Sequence, residues 1–146
     1  MIPMSRALYG GLPLISPLPT GRLTCANAGH EYPILRRPGG AFELLVDHHD
    51  VMLGVIEEVA YQDDTLDLEP GSKLFLYTDG LAEANNEREE QFGTNRILQA
   101  LNAHVDGSPR ELLENVQGDV NRFTGDTMQY DDLTMLCLEY RGSSDL

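Results

Sequence analysis

The sequence predicts an α+β fold built from several strands, two helices and a returning strand. Three observations carry that prediction. Up to residue 78 the apolar residues fall in short runs separated by Gly and Pro turns. Between residues 94 and 123 the apolar period lengthens to that of a helix. Residues 133–140 (LTMLCLEY) then return to a compact apolar run. Strands followed by helices and one more strand imply a layered design, neither a bundle nor an all-β barrel. The 146 residues are enough to close one hydrophobic core.

Residues 1–20 differ from the rest, with Pro3, Pro13, Pro17, Pro19 and a Gly10, Gly11 pair, and read as an irregular leader. Residues 22–27 (RLTCAN) form a short strand. Residues 32–36 (YPILR) and 41–46 (AFELLV) form a hairpin across Pro38, Gly39 and Gly40. Residues 61–68 (YQDDTLDL) read as an outer strand because their polar and apolar residues alternate late. Glu69, Pro70, Gly71 and Ser72 carry the residues a type II turn requires. The turn feeds residues 73–78 (KLFLYT), apolar enough to be buried on both faces. Ile97, Leu98, Leu101 and Val105 share one helical stripe, with Thr94 as its expected N-cap. Ser108, Pro109 and Glu111 spell a capping box with proline at the first helical position. That helix turns Leu112, Leu113, Val116, Val120 and Phe123 inward. Leu74, Leu76, Leu136 and Leu138, in two near-continuous apolar runs, are expected in the core.

Ten basic against twenty-four acidic residues leave a net charge of −14, and Lys73 is the one lysine. Nucleic-acid binding needs a basic face, so composition argues against it, and anionic membranes are disfavoured likewise. No apolar run approaches the roughly 20 residues a membrane helix needs. Cys25 and Cys137 lie in apolar stretches without metal or disulfide spacing, as in a reducing compartment. A cytoplasmic location is therefore expected. His30, His48, His49 and His104 lack the spacing of a zinc site. Ser72 and Ser108 lack a nucleophile-elbow context.

Two acidic sites stand out by position. Asp79 and Gly80 follow the end of one apolar strand, and Asp131 and Asp132 precede the start of another. If the two strands are antiparallel neighbours, both carboxylate groups meet at one sheet edge. Clustered carboxylates suit a hard divalent cation, and Asp79 and Asp131 should then lie within about 6 Å of each other. Solvated aspartates at strand ends are the plain alternative.

The motifs resemble a known family. In order they are NAGH at residues 27–30, Gly54, Pro70 with Gly71, YTDGLAEA at residues 77–84, Phe92 with Gly93, and DDLT at residues 131–134. This series resembles the C-terminal part of the bacterial SpoIIE-type Ser/Thr phosphatases of the PPM superfamily, over about residues 21–142, leaving residues 143–146 as a tail. The resemblance implies a β-sandwich flanked by helices, with two Mg²⁺ or Mn²⁺ ions at one edge. It implies that metal-held water, rather than a side chain, attacks a phosphoserine or phosphothreonine in line. Carried across, Asp79 and Asp131 match metal ligands, Asp132 a supporting or alternative one, and Gly80 shapes the turn. Asn27, Gly29 and His30 match a structural turn, and Thr78 and Thr134 belong to the two flanking motifs. The implied partner is a phosphorylated regulatory protein of the anti-sigma antagonist type. A non-catalytic binding fragment and a small-molecule phosphoesterase are the competing readings.

The chain departs from the pattern in one respect. The family carries an upstream aspartate that bridges both metals, and residues 1–20 contain no Asp or Glu. The N-terminal part of the domain is therefore expected to be missing. One metal or none, weak activity, and an open sheet edge that favours dimers follow.

Overall fold

The computed structural model describes residues 14–17, 21–26, 31–46, 64–127 and 133–142. In chain order the elements are β1 (Leu14–Pro17), β2 (Arg22–Ala26), β3 (Ile34–Arg36), β4 (Phe42–Leu44), β5 (Asp64–Asp67) and β6 (Lys73–Tyr77). Then come α1 (Asp79–Ala82), α2 (Gly93–Ala103), α3 (Pro109–Thr124) and β7 (Met135–Glu139). They form two antiparallel sheets, one in the order β1-β2-β5 and one in the order β4-β3-β6-β7.

The expected hairpin is present, with Ile34 opposite Leu44 and Arg36 opposite Phe42. The turn into β6 is also as expected. Ser72 N–H donates to Glu69 O at 2.9 Å, and Gly71 takes φ +96°, which a side chain would resist. β5 lies at the edge of its sheet, as its late alternation implies.

β6 lies between β3 and β7, and all five of its residues are buried. Its side chains alternate between two apolar layers. Phe75 and Tyr77 face the helices, packing with Ile34, Phe42, Leu101, Leu112 and Val116. Leu74 and Leu76 face the other way with Leu35, Leu68, Leu138 and Tyr140, at the junction with the three-stranded sheet. Lys73 continues the helix face, its ammonium donating to Gly107 O at 2.7 Å after α2.

α3 begins as its sequence requires. Ser108 Oγ accepts from Glu111 N–H at 3.2 Å, and the Glu111 carboxylate accepts from Ser108 N–H at 2.7 Å. Leu112, Val116 and Val120 are buried, and Leu113 and Phe123 pack against the same core.

Three expectations need correction. Residues 14–17 lie in the segment read as irregular, yet pair as β1 with β2, Pro17 opposite Leu23. Proline is tolerated there because, among the described residues, β1 is an edge strand, where one row of N–H groups has no ladder to join. Thr94 is not the cap of α2: Phe92 occupies that position without a side-chain cap bond. Burial of the Phe92 ring and its N–H bond to Ala84 O at 2.7 Å set where the helix starts. Leu136 is 43% exposed, because β7 has β6 on one side and no strand on the other among the described residues. Cys137, on the opposite face, packs against the core, and burial pushes its thiol up to about 11.

Candidate functional site

The end of β6 and the start of β7 are held together by one residue. Tyr77 pairs with Met135, so the antiparallel arrangement expected of these strands is present. Beyond that pair, Thr78 N–H donates to Thr134 O and Thr134 N–H donates to Thr78 Oγ1, each at 3.1 Å. Thr78 therefore uses backbone and side chain together to clasp the strand ends. It also stands at the N-cap of α1, the single helical turn that opens with Asp79.

Asp79 projects at the surface, while Gly80, Leu81 and Ala82 behind it are buried. Glu83 closes the turn, its N–H donating to Asp79 O at 2.8 Å. Thr134, two residues after Asp132 in the sequence, lies beside Thr78 and hence next to Asp79. Asp131, Asp132, Asn27, Gly29 and His30 lie outside the described residues, so the expected Asp79–Asp131 approach does too.

Sequence reading missed two carboxylates. Glu31 is half-buried, and its carboxyl is raised above 4.5 by burial first, then by Asp79 and Glu83. Its position directly after the NAGH run was the available clue. Glu83 was visible inside the YTDGLAEA run without being assigned a role. Tyr77, the residue before Thr78, is 2% exposed and its hydroxyl is enclosed near Thr94. Burial raises the phenol's pKa, nearby Thr94 pulls it back in part, and Glu31 adds a further upward push. Among the described residues, no group of three His, Cys, Asp or Glu side chains is close enough to hold a metal ion as placed.

The profile of the stage II sporulation protein E (SpoIIE) family matches residues 14–141. The chain belongs to the SpoIIE family. A curated relative, Protein IcfG of Synechocystis sp., is 27% identical over 118 residues, covering 81% of this chain and 18% of IcfG. Among solved structures, the SiaA-PP2C domain of Pseudomonas aeruginosa superposes with TM-score 0.66 at 24% identity, covering 83% of this chain and 47% of that one. The RsbU and RsbW domains of Rv1364c from Mycobacterium tuberculosis give TM-score 0.68 at 22% identity, covering 86% and 34%. The SpoIIE phosphatase domain of Bacillus subtilis gives 0.65 at 18% identity, covering 90% and 57%. These likenesses establish a PP2C fold, with α+β layers as the sequence predicts. The SpoIIE-family chain described here spans a fifth or less of the curated relative, and at most 57% of these solved chains. Among the described residues, no helix is long and apolar enough to cross a membrane.

Proposed function

We propose that this SpoIIE-family chain carries part of a metal-dependent phosphatase that hydrolyses phosphoserine or phosphothreonine on a regulatory protein partner of the anti-sigma antagonist type. The observation that supports it is the clasped β6–β7 pair. It puts Asp79 beside the strand that Asp131 and Asp132 precede in the sequence.

The donor chemistry fits a hard divalent cation. Asp79, Glu31 and Glu83 offer carboxylate oxygens, and among the described residues none of the three pairs with a base. Asp79, the Gly80 carbonyl, Asp131 and Asp132 would hold Mg²⁺ or Mn²⁺. When bound, such an ion supplies Lewis acidity toward a phosphoryl oxygen and a lowered water pKa. The chain's own part is positional. Thr78 fixes the approach of the two strand ends, and buried Gly80, Leu81 and Ala82 anchor the turn that presents Asp79.

Aryl phosphate hydrolysis with and without Mn²⁺ tests the reading, and Asp79→Ala should abolish whatever metal-dependent turnover is seen. A phosphoprotein panel then separates a protein phosphatase from a small-molecule phosphoesterase. A non-catalytic binding fragment is the second reading, favoured by the lack of a metal-holding trio among the described residues. Metal-independent background rates in both chains would select it. Self-association through an exposed sheet edge is measured by sedimentation.

A further inference from the structure

β6 leaves its ladder with β7 at a residue whose carbonyl has already turned away. In an antiparallel pair, every second opposed couple exchanges two backbone hydrogen bonds. The register that sets Tyr77 opposite Met135 sets Thr78 opposite Thr134 one step further on. Thr78 N–H donates to Thr134 O at 3.1 Å, the first of the two bonds such a couple makes. The second would run from Thr134 N–H to Thr78 O. Thr78 O instead accepts from Leu81 N–H at 3.0 Å, because the chain has begun α1. The side chain takes the carbonyl's place. Thr134 N–H donates to Thr78 Oγ1 at 3.1 Å, and that hydroxyl donates to Thr134 O at a longer 3.5 Å. A threonine at a helix N-cap ordinarily turns its oxygen to the first N–H groups of its own helix. Thr78 makes no such side-chain bond to α1. Its hydroxyl serves the sheet rather than the helix.

We propose that the Thr78 hydroxyl is a positioning group that holds the turn carrying Asp79 against the segment that leads back, two residues in the sequence, to Asp132. This rests on the metal-dependent reading above. The reason is geometric. A strand that turns into a helix gives up a carbonyl of its last ladder couple, and the partner's N–H is left without an acceptor. With a hydroxyl to replace that carbonyl, β6 turns at once and the couple stays closed. Asp79 then follows directly on a doubly bonded pair instead of on a frayed strand end. The substitution needs an acceptor oxygen attached to Cβ, which Ser shares and the equally shaped Val lacks.

The test pairs hydrogen exchange of the metal-free 146-residue chain with Mn²⁺ uptake, read from the loss of the free-ion electron paramagnetic resonance signal. Thr78→Val keeps the shape and removes the acceptor. It should speed exchange at the Thr134 amide roughly five- to tenfold, as loss of one hydrogen bond implies. Exchange at the Leu74 amide of central β6 should not change. Mn²⁺ uptake should weaken on the order of tenfold, and Thr78→Ser should restore both quantities. Unchanged exchange at Thr134 in Thr78→Val, or no recovery in Thr78→Ser, overturns the inference. Equal acceleration at Leu74 also overturns it, because the hydroxyl would then support the fold as a whole. Faster exchange with unchanged Mn²⁺ uptake, while Asp79→Asn loses it, overturns the positioning role and leaves the metal-dependent reading standing. No uptake by the parent chain, or unchanged uptake in Asp79→Asn, overturns that reading and the inference with it.

Discussion

Glu31 shows how a single residue links site and stability. Its carboxyl is raised above 4.5, by burial first and by Asp79 and Glu83 second. A raised folded-state value means the folded chain holds the proton more tightly than the unfolded chain does. The stabilisation is fully present below the unfolded value and is lost as pH rises through the folded one. Metal-free Glu31→Gln should therefore gain on the parent in urea midpoint as pH rises from about 4 to 7. Gly21 answers to geometry instead. It is buried at φ +81°, and an added Cβ would sit 2.6 Å from Leu68 O and 2.8 Å from the Tyr140 ring. Leu68 N–H bonds back to Gly21 O at 2.8 Å, which extends the β2–β5 ladder by one step, with the Tyr140 ring that follows β7 close by. Left-handed strain plus overpacking should make Gly21→Ala cost about 2–4 kcal/mol, measurable by urea denaturation.

At the scale of elements, the two edges of the four-stranded sheet are treated differently. β4 would expose the outward N–H and C=O of Phe42, but the Asn102 side chain of α2 covers both. Its Oδ1 accepts from Phe42 N–H at 2.7 Å, and its Nδ2 donates to Phe42 O at 3.2 Å. Asn102→Ala should cost about 1–2 kcal/mol and speed hydrogen exchange at the Phe42 amide. β7 has no such cover among the described residues, and its Leu136 stands exposed. The sequence treats Leu74 and Leu136 alike, and the sheet does not. Leu74, 1% exposed on the central strand, should lose roughly 2–5 kcal/mol on truncation to Ala. Leu136→Ala should lose under about 1 kcal/mol. Equal losses at the two positions would mean that β7 is covered in solution.

For the molecule as a whole, the metal-dependent reading predicts aryl phosphate turnover that needs Mn²⁺ and that Asp79→Ala abolishes, and equal rates in the two chains with and without Mn²⁺ would overturn it. Local chemistry alone determined much of the fold. The Ser108–Glu111 capping box, the Pro70–Gly71 turn and the apolar run of β6 each act within a few residues, so their outcome is legible in order along the chain. The order of motifs likewise carried the family. Long-range pairing lay beyond such reading. Edge placement admits Pro17 to a strand and exposes Leu136, and core contact starts α2 at Phe92 instead of at Thr94. The same holds for Glu31: it follows the NAGH run, but it comes near Asp79, forty-eight residues further along the chain, only through the pairing of β3 with β6. Sequence patterns encode what a residue does to its neighbours in the chain, whereas a site is made by neighbours in space, and those only the pairing of strands decides.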